Sequence, residues 1–278
     1  MSHPNTWAYS LVGLSLFMLT HPLGDSAWAV VEKDPVDMVV IPAGPFIRGS
    51  APGEGRLDEQ PRRKIYLDSF AIDQYEVTNA RYGEFLQETL HKAPLNVYGD
   101  HSLMKEEGVG DLPVVQVTWH DAVDYCFWAG KRLPTEAEWE KAARGKEPRR
   151  FPWGDAAADA QKANFEKDWM EKQTLLPVTS LPDGQSPYGL FHMSGNVREW
   201  VQDWYDAEYY SQAPEKNPKG PETGILKVIR GGSWRSFEAD LGTASRGKGG
   251  FALKTHGIGF RCARDVRPGT TVEHPTTK

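Results

Sequence analysis

From Asp37 onward the chain alternates apolar and polar positions only in short bursts. "DMVVIPAGPFIRG" alternates and stops at Gly49, "RKIYLDSFAIDQYEVT" reads as two linked strands, and "ILKVIRGGSW" and "GIGFRCARD" supply further strands near the end of the chain. Between these bursts, apolar positions recur at helical spacing in three places, each behind a capping residue. "VTNARYGEFLQETLH" starts at Thr78 or Asn79 and sets Tyr82, Phe85 and Leu86 on one face. "VTWHDAVDYCFWAGK" has Thr118 as its N-cap, Asp121 three residues on and Gly130 as its stop. "PTEAEWEKAARG" repeats the design with Thr135, Glu138 and Gly145. The apolar stripes Ala122, Val123, Cys126 and Ala137, Ala142 predict one packed face per helix, with Cys126 on the buried side.

The remainder is loop. Gly145 to Tyr188 and Asp206 to Gly224 are rich in Pro, Gly and Asn, and segments that long inside a domain are ordered for a reason. In "GNVREWVQDWY" the four-residue spacing of Trp200 and Trp204 predicts one face of a helical turn. With 39% hydrophobic residues, 10 Trp, 27 Gly and 20 Pro, the 278-residue chain reads as globular and loop-rich rather than as a helical bundle. No linker interrupts Asp37 to Asp265, which predicts a single α+β domain.

The ends differ in character. "LVGLSLFML", Leu11 to Leu19, is too short for a membrane span and is followed by "HPLGD" and by an A-x-A pattern at Ala27 and Ala29. Residues 1–29 are therefore expected to be an export signal cut after Ala29, residues 30–265 the folded domain, and residues 266–278 a polar, mobile tail. The expected location is periplasmic or secreted, with no membrane span after signal cleavage. A formal charge of −6, from 32 basic and 38 acidic residues, leaves no footprint for nucleic acid. Cys126 and Cys262 are the only cysteines, and an even pair in an oxidising compartment is most simply a disulfide. Two free buried thiols, or one reactive thiol, are the alternatives, and neither residue has a CxxC partner or His spacing that suggests a metal.

The segment "RGGSWRSFEADLGTASR", Arg230 to Arg246, concentrates the candidate chemistry. Two adjacent glycines allow close backbone approach, and Ser233, Trp234, Arg235 and Ser236 follow as candidates for lining a groove. No Ser-His-Asp constellation is visible by spacing, so a serine nucleophile depends on His120, His192 or His256 coming near it in the fold.

In order along the chain, "MVVIPAGPFIRGS", "DEQPRRKIYLDSFAIDQYEVTNARYGEFL", "PVVQVTWHDAVDYCFWAGKRLPTEAEWEKAARG", "FPWGD", "YGLFHMSGNVREWVQDWY", "VIRGGSWRS" and "GIGFRCARD" together resemble the formylglycine-generating enzyme, or sulfatase-modifying factor, family. The resemblance covers nearly all the chain after the signal and implies a variant C-type-lectin-like fold with little regular secondary structure. Family enzymes oxidise a sulfatase cysteine with O₂ and a copper(I) ion held by two thiolates, the soft donors Cu(I) requires. The resemblance places those cysteines three and eight residues after Ser233, where this chain has Ser236 and Leu241. No copper is expected. It also implies that Cys126 and Cys262 are the family's structural disulfide. Calcium is the implied cofactor, an ion that takes carboxylate, amide and main-chain oxygens. One site would use Asn164, the Phe165 carbonyl, Asp168 and the Met170 carbonyl. A weaker one would use His192, the Gly195 and Val197 carbonyls and Glu199, with imidazole a poor calcium donor.

The leading expectation is a non-copper binding or accessory factor that serves an exported protein or peptide partner in a maturation process. Two others stand beside it: an oxidase or maturation enzyme working in the same cleft without thiolates, and a lectin-like carbohydrate binder suggested by fold analogy.

Overall fold

The structure, a computed structural model, describes residue 34, residues 36–95, residue 102, residues 105–168 and residues 174–266. All lie in the unit Glu32–Lys278. The expected signal, the tail beyond residue 266 and Met170 lie outside the described residues.

The three capped helices form where the sequence places them. α1 (Asn79–Glu88) begins with Thr78 accepting the Arg81 amide N–H. In α2 (Trp119–Trp128) and α3 (Glu136–Arg144), Thr118 with Asp121 and Thr135 with Glu138 form complete capping boxes, so two orphan amides at each start are satisfied locally. Gly145 ends α3 at φ +78°, a left-handed turn that glycine adopts without strain.

The strands nest. β1 (Met38–Ile41) and β2 (Gly44–Arg48) are followed by β3 (Arg63–Leu67) and β4 (Phe70–Asp73). β2 pairs antiparallel with β3, and β1 pairs antiparallel with β4, Val39 opposite Ile72. The predicted linked strands β3 and β4 are thus consecutive in the chain yet belong to different sheets. β9 (Ala263–Asp265) returns from the end of the domain to pair with the other edge of β4. The Cys126–Cys262 disulfide ties α2 to the residue preceding β9, across a sequence separation of 136 and with Cα atoms 5.6 Å apart.

The second sheet runs β7 (Arg246–Gly250), β6 (Leu226–Arg230), β5 (Arg198–Trp204), β8 (Ile258–Gly259), with only the β5–β8 pair parallel. β5 corrects the helical reading of Trp200 and Trp204. Trp200 pairs with Ile229 and Trp204 with Lys227, so a four-residue step along β5 matches a two-residue step along β6 across a bulge. A spacing of four fits a strand face as well as a helical one, and pairing with β6 and β8 decides it. Trp200 is fully buried and donates its indole N–H to the Val117 carbonyl.

Two large apolar clusters make most of the core, with a small third one around Phe151. One gathers Phe46, Ile65, Phe70, Ile72, Trp139 and Val201; the other packs Tyr82, Phe85 and Tyr125 with Trp200, Phe260 and the disulfide. α3 departs from the one-face expectation, because every residue from Glu136 to Arg144 is buried. Its charged side is enclosed by strand arginines. Of the two long loops, the described parts hold only a 3-10 turn (Pro182–Gly184) and the four-residue α4 (Tyr209–Gln212), together with isolated bridges such as Phe151 to Gly154.

Candidate functional site

The loop after β6 turns back through Gly231 (φ +92°) and Gly232 (φ +70°). A side chain at Gly232 would start 2.7 Å from Leu241 Cδ2, so the turn closes onto the 3-10 turn Glu238–Leu241 only with glycine there. Ser236 is built into this loop. Its Oγ accepts the Ser233 amide N–H at 2.9 Å and the Arg198 Nη2–H at 3.1 Å, and the Ser233 hydroxyl stands 3.5 Å away. Arg198 also faces Asp240 at 3.4 Å, which Arg56 reaches from the other side at 3.2 Å. Leu241 is fully buried in an apolar cluster with Phe151 and Ala163. Ser236 is therefore a hydrogen-bonding hinge of the loop, and Leu241 is a packing residue.

The other groove candidates separate. Arg235 is exposed, but Trp234 is 1% exposed and donates its indole N–H to the His256 carbonyl at 2.9 Å. The expectation that Trp234 lines a groove is corrected: its indole anchors the loop in the interior. Ser233 keeps close company with Gly257, where a Cβ would sit 3.2 Å from its hydroxyl.

The three imidazoles have separate surroundings. His120 packs edge-on against Trp119 and Phe251, and His256 Nε2 lies 2.7 Å from the Gln116 side-chain amide nitrogen. His192 is buried, with Nε2 3.3 Å from both the Pro177 carbonyl and the Ser180 hydroxyl. A carbonyl can only accept, so Nε2 carries the proton. Burial pushes this imidazole down to about 4, despite the Pro177 contact. Among the described residues, no three His, Cys, Asp or Glu side chains converge in a way that could hold a metal ion.

The two calcium donor sets fare differently. Asn164 is buried; its Nδ2 donates to the Thr174 carbonyl at 2.8 Å and to Asn196 Oδ1 at 3.0 Å, while its own Oδ1 has no partner. A buried amide oxygen without a donor suits a hard cation. Gly195 (φ +86°) lies against this residue, since a Cβ there would be 2.6 Å from the Asn164 carbonyl oxygen. The second set does not suit a cation. Glu199 accepts from Trp139 Nε1 and Arg261 Nε on one oxygen and from Arg261 Nη2 on the other, each at 2.8 Å. His192, as protonated, offers no lone pair at Nε2. Beside Glu199 lies Glu76, fully buried, accepting from Asn196 Nδ2 at 2.7 Å and the Val197 amide at 3.2 Å. Burial, reinforced by the Glu199 carboxylate, pushes Glu76 well above the usual carboxylate range.

Sequence reasoning missed the ionic floor beneath the loop. Arg230 bonds Glu136 at 3.1 Å and Glu140 at 2.9 Å, and Arg246 bonds both oxygens of Glu136, at 2.7 and 3.0 Å. Burial opposes ionisation of Glu136, but Arg246 and Arg230 more than offset it and hold the carboxyl below its ordinary value. The available signal was a charge directly after the apolar pair Val228–Ile229, Arg230 in "LKVIR".

Fold and loop together define a sulfatase-modifying-factor domain. Residues 27–266 match the family described as the Sulfatase-modifying factor enzyme 1-like domain, and the chain belongs to it. It is 35% identical to the formylglycine-generating enzyme of Streptomyces coelicolor, over 82% of this chain and 89% of that enzyme. It is 40% identical to the serine/threonine-protein kinase Pkn1 of Chlamydia trachomatis serovar L2 over 87% of its own length, and spans 41% of that kinase. Among solved structures, PvdO from Pseudomonas aeruginosa superposes with a TM-score of 0.71 at 28% identity, covering 84% of this chain and 97% of PvdO. Both cysteines of this family member are joined in the disulfide.

Proposed function

We propose that this protein is an exported sulfatase-modifying-factor domain, periplasmic or secreted, that acts without copper as a binding or maturation accessory for an exported protein or peptide. One observation carries the reading. The positions that the resemblance assigns to the copper ligands hold a serine whose Oγ is engaged by Arg198 and a leucine enclosed by Phe151, and neither cysteine is a thiol. Monovalent copper needs soft sulfur donors, and a hydroxyl and a methyl-bearing side chain supply none. The described residues do not favour the thiolate-free oxidase, because His120, His192 and His256 each have their own partners and no acid joins any two of them at Ser233. The C-type-lectin-like description of the fold and a calcium ion at Asn164 belong to this same reading.

The test is direct. Purified mature protein is mixed with Cu(I) and a cysteine-containing peptide under O₂, and bound copper and aldehyde product are measured. The expected result is no stoichiometric copper and no formylglycine. A Ser236→Cys/Leu241→Cys variant is expected to take up Cu(I) if these positions are the ligand positions. Copper binding with peptide turnover by the unaltered protein would overturn the proposal.

A further inference from the structure

A cavity of about 600 Å³ opens behind the loop Ala239–Ser245 and is lined by four arginines, Arg62, Arg144, Arg149 and Arg150. They arrive from separate segments: Arg62 precedes β3, Arg144 ends α3, and Arg149 and Arg150 follow in the next loop. That is an unusual concentration of guanidinium groups for a chain of formal charge −6.

The carboxylates on the same wall are already engaged. Glu54 pairs with Arg62, Glu59 with Arg56 at 3.2 Å, and Asp155 accepts the Arg150 amide at 2.8 Å. Arg150 pairs with Glu238 at 3.1 Å. Arg144 and Arg149 are left without a carboxylate of their own on this wall. Arg149 has no ion pair among the described residues, and its Nε is buried without a hydrogen-bond partner. Arg144 is buried and donates Nη1 to the Ile47 and Gly49 carbonyls, both at 2.9 Å. Its one acidic neighbour, Glu140 at 3.3 Å, also serves Arg230 at 2.9 Å. Burial lowers the pKa of Arg144; Glu140 opposes the shift, while the like charges of Arg230 and Arg62 add to it. An anion entering the cavity would relieve that crowding and give the Arg149 guanidinium the counter-charge it lacks.

We propose that this cavity binds a tetrahedral oxyanion, the phosphoryl or sulfuryl group of a small molecule or the free ion, with Arg149 and Arg62 as its partly exposed donors, Arg62 shared with Glu54, and Arg144 as its buried one. Guanidinium forks meet such an anion edge by edge, and forks arriving from three segments need more oxygen edges than the single one a carboxylate presents. The volume lies in the range of small-ligand sites. The site is separate from the copper question, since none of its residues is a candidate copper ligand.

Calorimetric titration of the mature protein with inorganic phosphate, sulfate, phenyl phosphate and acetate, in chloride buffer at matched ionic strength, tests the proposal. Saturable one-to-one binding of phosphate or sulfate is expected, weakened about tenfold or more in Arg149→Ala, since a hydrogen bond to a charged group is worth that much. Tighter binding of the monoester than of phosphate would assign an esterified ligand, and equal binding the free ion; both support the site. Should Arg149→Ala fail to fold, Arg62→Ala, at a partly exposed position, carries the same expectation. Absence of saturable binding, affinity for acetate equal to that for phosphate, or unchanged affinity in the folded arginine variants would overturn it.

Discussion

Arg230 and Glu140 meet at 2.9 Å with neither side chain exposed to solvent. The same carboxylate accepts the Gly49 amide and the Tyr210 hydroxyl, both at 2.7 Å, so it ties β6, α3, the end of β2 and α4 at one point. Removing its charge leaves Arg230 with Glu136 alone, a carboxylate shared with Arg246, and takes away the acid beside Arg144. Glu140→Gln is expected to cost about 3–5 kcal/mol, the range for breaking a buried pair from one side. Urea unfolding of the variant beside the unaltered protein measures it, and a loss within experimental error would show that water or Glu136 already neutralises Arg230.

The disulfide carries a separate share of stability. It closes a sequence separation of 136, and both half-cystines are fully buried between α2 and β9. Removing a native bridge of this kind costs about 2–5 kcal/mol. Cys126→Ser/Cys262→Ser should therefore melt well below the native protein. Thiol titration of native material should find no reactive sulfhydryl, and two should appear after denaturation with a reductant. Two free thiols in native, unreduced protein would contradict the bridge.

What could be read from the sequence was what is decided locally. Thr118 with Asp121 and Thr135 with Glu138 specify helix starts within one turn, and both capping boxes are present. The enclosure of α3 could not be read. Glu136 and Glu140 look like a solvent face until Arg230 and Arg246 arrive from strands about a hundred residues away, separations of 90 and 110 positions. β7 was equally silent. "RGKGG" has no strand propensity, yet a Cβ at Gly249 would lie 2.7 Å from Leu253 and 3.1 Å from Trp200, so neighbours fill the space a side chain would need at that position. At the loop site, the glycines and Ser236 were visible. The arginine that holds Ser236 lies 38 residues earlier in β5, beyond the reach of any local pattern.

Two buried groups should give stability opposite dependences on pH. His192 is depressed from 6.5 to about 4, so the unfolded chain binds a proton there before the native protein does. Its contribution is fully present above pH 6.5 and is lost as pH falls toward 4. Asp203 is raised from 3.8 to about 7, first by burial and then by the Glu136 charge, although the Glu136 amide donates to it at 2.8 Å. Its contribution is present below pH 3.8 and is lost as pH rises through 7. Asp203→Asn should therefore gain stability relative to the native protein as pH rises from 5 to 8. His192→Asn should flatten the loss between 6.5 and 4. Chemical denaturation across pH 4–8 measures both, and parallel profiles for variant and native protein would refute either assignment.

The unpartnered Oδ1 of Asn164 gives the calcium reading a physical handle. Buried amide oxygens without a donor cost stability, and a divalent ion with oxygen affinity removes that cost. Calcium should raise the melting temperature and a chelator should reverse the rise; binding to the native state alone stabilises by about 2.7 kcal/mol at a hundredfold excess over the dissociation constant. Asn164→Ala should abolish the response whatever it does to the baseline, because the measured quantity is the difference with and without the ion. Glu199→Gln should leave the response intact, since Arg261 and Trp139 already occupy both carboxylate oxygens of Glu199. A response lost in Glu199→Gln and kept in Asn164→Ala would move the ion to the second donor set and require Arg261 to release its partner.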